Sequence, residues 1–280
     1  MIRLLFLLLF ISLSIFAATL DANKTALIDS KIESILGSQA YNKNKDFIDI
    51  IFEPKSGYFN DERLDSVKVI QTLKDNGLLN LFFDRPQTIT MSFSTDGSPV
   101  FFVKLLADTL RSIGYYRYIT KESHMNASEF VWSIELTSEY AIDPLIFRKE
   151  LSKRGCDIVD ISSNKSTSWS YQIDMKNAHL NVLKLSPTDN IKLERSIYEK
   201  WLDVSELSKI VISSNYGNTW YPYISFYDRS LRILKVNKID KKTSKLNVDI
   251  PTDAIYIKIS DLYTLKNIKN GLNIQAKGSR

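Results

Sequence analysis

Ile89-Thr90-Met91-Ser92-Phe93-Ser94-Thr95-Asp96-Gly97-Ser98-Pro99 is the stretch that decides the fold. Ile89, Met91 and Phe93 alternate with Thr90, Ser92 and Ser94, the period of two expected of a half-buried strand that starts near Thr88. Thr95 to Pro99 is a turn with a capping residue and a proline at the first helical position. The helix predicted after it lines up Phe102, Leu105, Leu106, Leu110 and Ile113 on one face and stops at Gly114.

The same device recurs downstream. Tyr116 and Tyr118 alternate in a predicted strand, and Phe130, Trp132, Ile134 and Leu136 form the cleanest strand pattern in the chain. Asp143-Pro144 repeats the cap followed by proline, and Leu145, Phe147 (or Ile146) and Leu151 supply the apolar side of a helix closed by Gly155. Ile158, Val159 and Ile161 predict another strand; Trp169, Tyr171, Ile173 and Met175 predict one more. Leu110-x-x-x-Gly114 matches Leu151-x-x-x-Gly155, and Pro99 matches Pro144. In the order β-α-β-β-α-β, residues 87–178 resemble a ferredoxin-like α/β sandwich, which implies helices on one face of an antiparallel sheet.

Upstream, residues 18–86 read as a helical region. Leu27, Ile28, Ile32, Ile35 and Leu36 keep a helical stripe closed by Gly37, and Phe47, Ile48, Ile50, Ile51 and Phe52 form a second apolar patch. Asp61 is placed to cap a third helix carrying Leu64, Val67, Ile70 and Leu73, which ends at Asn76-Gly77.

Downstream, helical periodicity disappears. Nine short β-prone runs, the first at Val182 to Leu185 and the last at Leu272 to Gln275, are separated by Asn, Asp, Gly, Ser and Pro. That spacing predicts a β-sandwich over 179–280. Ile224-Ser225-Phe226-Tyr227-Asp228, Leu231-Arg232-Ile233-Leu234 and Asp249-Ile250-Pro251-Thr252-Asp253-Ala254-Ile255-Tyr256-Ile257-Lys258-Ile259 resemble the closing strands of galactose-binding-like jelly rolls. The resemblance implies a jelly roll with ligand loops at one end. The expected class is α+β: a short helical N-terminal segment, a ferredoxin-like α/β sandwich and an all-β jelly-roll sandwich.

Trp220, Tyr221 and Tyr223 follow the turn at Gly217-Asn218 and are the candidate ligand-binding residues, since aromatic faces stack on sugar rings. The alternative turns Tyr221 and Tyr223 into the core, with Trp220 covering one end. Asp21-Ala22-Asn23-Lys24-Thr25 resembles the acceptor of bacterial oligosaccharyltransferases, which makes Asn23 a candidate glycosylation site. Lys235, Lys238, Lys241, Lys242 and Lys245 cluster on a predicted hairpin, either an anion-binding patch or a solvated turn.

No catalytic motif is found. His124 and His179 stand far apart without metal-ligand spacing, Cys156 has no partner for a CxxC, and no HExxH, GxSxG, P-loop or dinucleotide fingerprint occurs. The expectation is therefore a protein that is not an enzyme and has no cofactor and no metal site. A glycan hydrolase stays open as a third alternative, because catalytic carboxylate pairs have no fixed spacing.

Met1 to Ala17 has the layout of a secretory signal peptide: Arg3, a run from Leu4 to Phe16, then Ala17-Ala18. The expected location is the periplasm, with secretion or an uncleaved inner-membrane anchor as alternatives. No transmembrane span is expected after signal removal. The single cysteine rules out an intramolecular disulfide. Ser186 to Arg280 holds sixteen Lys and Arg against ten Asp and Glu, so the net +5 of the chain resides in its last third. For an exported protein an anionic glycan or membrane surface suits that asymmetry better than nucleic acid. The first expectation is a scaffold of an envelope complex with envelope-protein partners; the second is a carbohydrate-binding protein with a glycan or peptidoglycan partner.

Overall fold

In the computed structural model the described residues are 22–280. The proposed signal peptide at 1–17 and Asp21 of the acceptor sequence lie outside them. The chain forms two compact units, one ending at Ala178 and the other comprising His179–Arg280. Among the described residues no helix is long and apolar enough to cross a membrane.

The first unit opens with α1 (22–36), α2 (Ser38–Lys43), α3 (Lys45–Ile51) and a 3-10 turn (Lys55–Tyr58). Gly37 adopts φ 78° with ψ 151°, an extended positive-φ conformation open to glycine, which ends α1 and lets α2 start at once. Ile28 and Ile32 of α1 pack with Tyr41, Ile48, Phe52 and Tyr58, whereas Leu27 lies 54% exposed at the flank of the stripe. A two-stranded ribbon follows, β1 (Phe59–Asn60) with β2 (Arg63–Leu64), and then α4 (Ser66–Asp75). The expected capping role of Asp61 is corrected here. Asp61 turns the ribbon at φ 58°, and Asp65 caps α4 by accepting from the Lys68 amide at 3.0 Å.

The α/β part comprises β3 (Phe82–Thr95), α5 (Pro99–Ser112), β4 (Ile119–Met125), β5 (Phe130–Tyr140), α6 (Pro144–Ser152), β6 (Asp157–Lys165) and β7 (Ser168–Asp174). Its sheet runs β4-β5-β3-β7-β6. β3 is antiparallel to β5, pairing Phe93 with Trp132, but parallel to β7, pairing Phe93 with Tyr171. The expected all-antiparallel sheet is therefore mixed. The chain leaving α6 enters β6 at the sheet edge, and the β6–β7 hairpin folds β7 back beside β3. An apolar/polar alternation tells which face a strand buries, not which strand lies next to it.

Phe93 stacks on Tyr171 with centroids 5.6 Å apart, and Phe147 of α6 meets Tyr171 edge-on at 5.3 Å. Phe102 of α5 meets Phe130 edge-on at 6.1 Å. The N-terminal helices belong to the same unit rather than forming a region apart. Asp160 on β6 accepts from Lys31 of α1 and Ser66 of α4, both at 2.6 Å.

The second unit has two sheets. β13 (Ile233–Lys238), β12 (Pro222–Tyr227), β15 (Tyr256–Asp261), β10 (Lys200–Asp203) and β8 (Leu183–Lys184) make one, in that order. β14 (Lys245–Asp249), β11 (Leu207–Ser214), β16 (Leu272–Ser279) and β9 (Asn190–Leu193) make the other. Each of the nine β-prone runs carries one of these strands. Ile224, Phe226, Ile257 and Ile259 from the first sheet share a core with Ile210, Ile212, Val248 and Ile274 from the second. The lysine-rich segment is not a hairpin: β13 and β14 are edge strands of different sheets, and the loop between them crosses over.

Candidate functional site

A concave surface of the first unit arises where two neighbouring strands part company. α5 gives way to Ile113 and to Gly114 at φ 97°, and the next residues, 115–118, belong to no strand. β4 begins to pair with β5 only at Ile119, opposite Glu135. β5 nevertheless runs on to Tyr140, held on its other side by β3. Over residues 136–140 that edge of β5 has no strand partner among the described residues. Tyr116 and Tyr118, expected in a strand, instead precede β4 and line this gap.

Three adjoining concavities follow the gap. One of about 410 Å³ is lined by Lys74, Phe82, Ile113, Tyr115, Tyr140 and Ile146. It shares Ile113, Tyr115 and Tyr140 with a second of about 500 Å³, which reaches Tyr116, Arg117 and Leu136. A third, of about 540 Å³, continues past Arg117 to Tyr118, Ile119 and Glu135. The rim is aromatic and exposed, with Tyr116 at 70% and Tyr140 at 56%.

The hydroxyl of Tyr115 donates to the Tyr140 carbonyl at 3.2 Å. Burial, reinforced by the charge of Asp143, pushes its pKa up to about 12, so it stays a neutral donor at physiological pH. Burial likewise pushes the Tyr171 hydroxyl, beneath α6, far above the usual tyrosine range; it has no hydrogen-bond partner among the described residues. At the end of the groove Lys74 pairs with Asp143 at 2.5 Å, and Asp143 also accepts from the Leu145 and Ile146 amides to cap α6. The Tyr115 hydroxyl, an apolar lining and an open strand edge offer main-chain and side-chain contacts along one continuous surface.

The aromatic residues singled out in the sequence do not converge. Trp220 is 0% exposed in the sandwich core, and its indole donates to the Ser260 carbonyl at 3.0 Å. Its proposed role as a sugar-stacking platform is corrected: a ring enclosed on all sides presents no face to a ligand. Tyr221 and Tyr223 are half-buried and alternate in register with Trp220, Pro222 and Ile224, which are all buried. The period of two thus sends the tyrosines to the outer surface of the sheet. Tyr221 packs edge-on against Tyr263 at 5.1 Å, and Tyr223 lies beside Lys238 and Lys258.

Asn23 is exposed in the first turn of α1. His124 is exposed on β4, and His179 is exposed at the start of the second unit. Cys156 is buried just before β6, where burial, aided by Asp174, pushes its thiol up to about 12 and leaves it unreactive. Among the described residues no three of His, Cys, Asp and Glu gather to hold a metal ion. The groove itself was not read from the sequence. Its one local signal is Gly114-Tyr115-Tyr116-Arg117-Tyr118, three tyrosines behind a helix-ending glycine.

Comparison with protein-family models, with curated proteins and with solved structures finds no match to this chain.

Proposed function

We propose that the chain is an exported, periplasmic scaffold of an envelope complex that is not an enzyme and that binds an extended segment of a partner protein along the open edge of β5. The observation that carries this reading is the unpaired stretch 136–140 beside an aromatic groove. A peptide laid there adds main-chain hydrogen bonds as an extra strand, and alternate side chains drop into the concavities. The exposed Arg117, midway along the groove, favours an acidic residue in a segment otherwise rich in large apolar side chains. In this reading the first unit is a ferredoxin-like domain with one strand inserted in its sheet, and the second is a galactose-binding-like jelly roll.

Selection of displayed extended peptides on the purified chain tests the proposal. Enriched peptides should carry that pattern and slow amide exchange at residues 136–140. They should bind about tenfold more weakly to the paired variant Tyr116→Ser, Ile146→Ser, whose side chains are exposed and dispensable for the core. His124→Ala, His179→Ala and Cys156→Ala should bind as the parent does. Peptides that bind the paired variant equally well, or protect other amides, would rule the groove out.

A further inference from the structure

The outer face of the five-stranded sandwich sheet carries a second surface. On β12, Ile224 and Phe226 enter the core, so Tyr223 and Tyr227 face outward. By the same alternation Lys258 of β15 and Trp201 of β10 face outward, since their neighbours Ile257, Ile259 and Leu202 are in the core. Lys238 pairs in register with Tyr223, and Lys258 with Trp201. The Lys238 ammonium lies 5.1 Å from the Tyr223 ring centroid. That of Lys258 lies 5.9 Å from Tyr223 and 5.8 Å from Trp201. Cation, ring, cation and ring thus succeed one another across four adjacent strands, at the ~4.8 Å strand spacing.

The charge around this row is one-sided. Residues 179–280 hold seventeen Lys and Arg against ten Asp and Glu. Lys235, Lys241, Lys242 and Lys245, on β13, in the loop after it and at the start of β14, are exposed; like Lys238 they form no ion pair among the described residues. Several of the acids are already engaged: Asp228 by Arg232, Asp240 by Tyr263, and Asp261 by four donors that include the Tyr221 amide.

We infer that this face binds an acidic polysaccharide. Flat rings on β12 and β10, two strand spacings apart, suit the apolar faces of sugar rings along one chain; Lys258 between them, 4.0 Å from Glu199, and Lys238 at the end of the row suit carboxylates carried on those rings. The Tyr223 and Trp201 rings are half-buried, which suits contact with a chain laid across the strands better than insertion into lipid.

Affinity electrophoresis of the full chain through gels containing polygalacturonate tests this, with neutral dextran gels and flotation on phosphatidylglycerol vesicles run in parallel. Polygalacturonate should retard the protein and dextran should not. Tyr223→Ser and Lys238→Glu should each weaken the apparent affinity about tenfold while unfolding cooperatively like the parent. Lys277→Glu makes the same charge change on β16 of the other sheet and should leave affinity within about twofold. Equal losses in Lys238→Glu and Lys277→Glu would reduce the effect to net charge and overturn the site. Absence of retardation, or binding to vesicles alone, would overturn the polysaccharide.

Discussion

Nη1 of Arg148 donates to both carboxylate oxygens of Asp65 at 2.8 Å, joining residues 83 positions apart. Asp65 is also the N-cap of α4, so one carboxylate orders the start of that helix and fastens it to α6. Burial raises its pKa, but the Arg148 guanidinium and the Lys68 amide outweigh that and hold it below the usual carboxylate range.

Arg148→Ala leaves a largely buried carboxylate without its cation and should cost about 1–3 kcal/mol, between the values for exposed and fully buried pairs. Asp65→Ala loses the cap as well and should cost about 1 kcal/mol more. Chemical denaturation of both variants measures this; equal stability of Arg148→Ala and the parent would show the pair to be neutral. A chain cut to residues 88–176 loses Asp65 and the Lys31 and Ser66 partners of Asp160 together, and should be less stable than 22–178.

Alkaline pH should destabilise the first unit. The Cys156 thiol rises from 9.0 and the Tyr115 hydroxyl from 10.0, each to about 12 on folding. Each group keeps its proton in the folded state while the unfolded chain releases it. Their contribution is therefore full below about pH 9 and is lost as pH climbs toward 12. Melting temperatures taken from pH 8 to pH 11 should fall, and Cys156→Ala should flatten the part of the slope between about pH 9 and 10. A parent slope unchanged in Cys156→Ala would assign that part to other groups.

Trp220→Ala should lower stability by about 3–5 kcal/mol through the cavity it opens and the Ser260 carbonyl it leaves unpaired. Trp220→Phe should recover most of the packing and lose only the hydrogen bond. Calorimetry of the isolated 179–280 unit is the direct measurement, and an undisturbed transition in Trp220→Ala would contradict its place in the core.

The devices that act within a few residues were legible. Pro99 and Pro144 mark the starts of α5 and α6, and the alternation from Ile89 to Phe93 marks the buried face of β3. The cap of α4 is Asp65 and not Asp61 because Leu64, which reads as the first residue of the apolar stripe, lies in β2, so the helix starts four residues later than the stripe suggests. The groove left no periodic trace, because it exists where residues 115–118 fail to pair with β5, and a failed pairing has no pattern of its own.

By itself the sequence determined where most strands and helices lie and which faces they bury, since propensity, capping and periodicity are set by neighbours along the chain. Tertiary structure alone decided that β7 fills the slot beside β3, that Trp220 points inward while Tyr223 points out, and that the far end of β5 stays open. Those outcomes depend on which distant segments win the competition to pair and to bury the same apolar surface. Each segment carries only its own half of that contact.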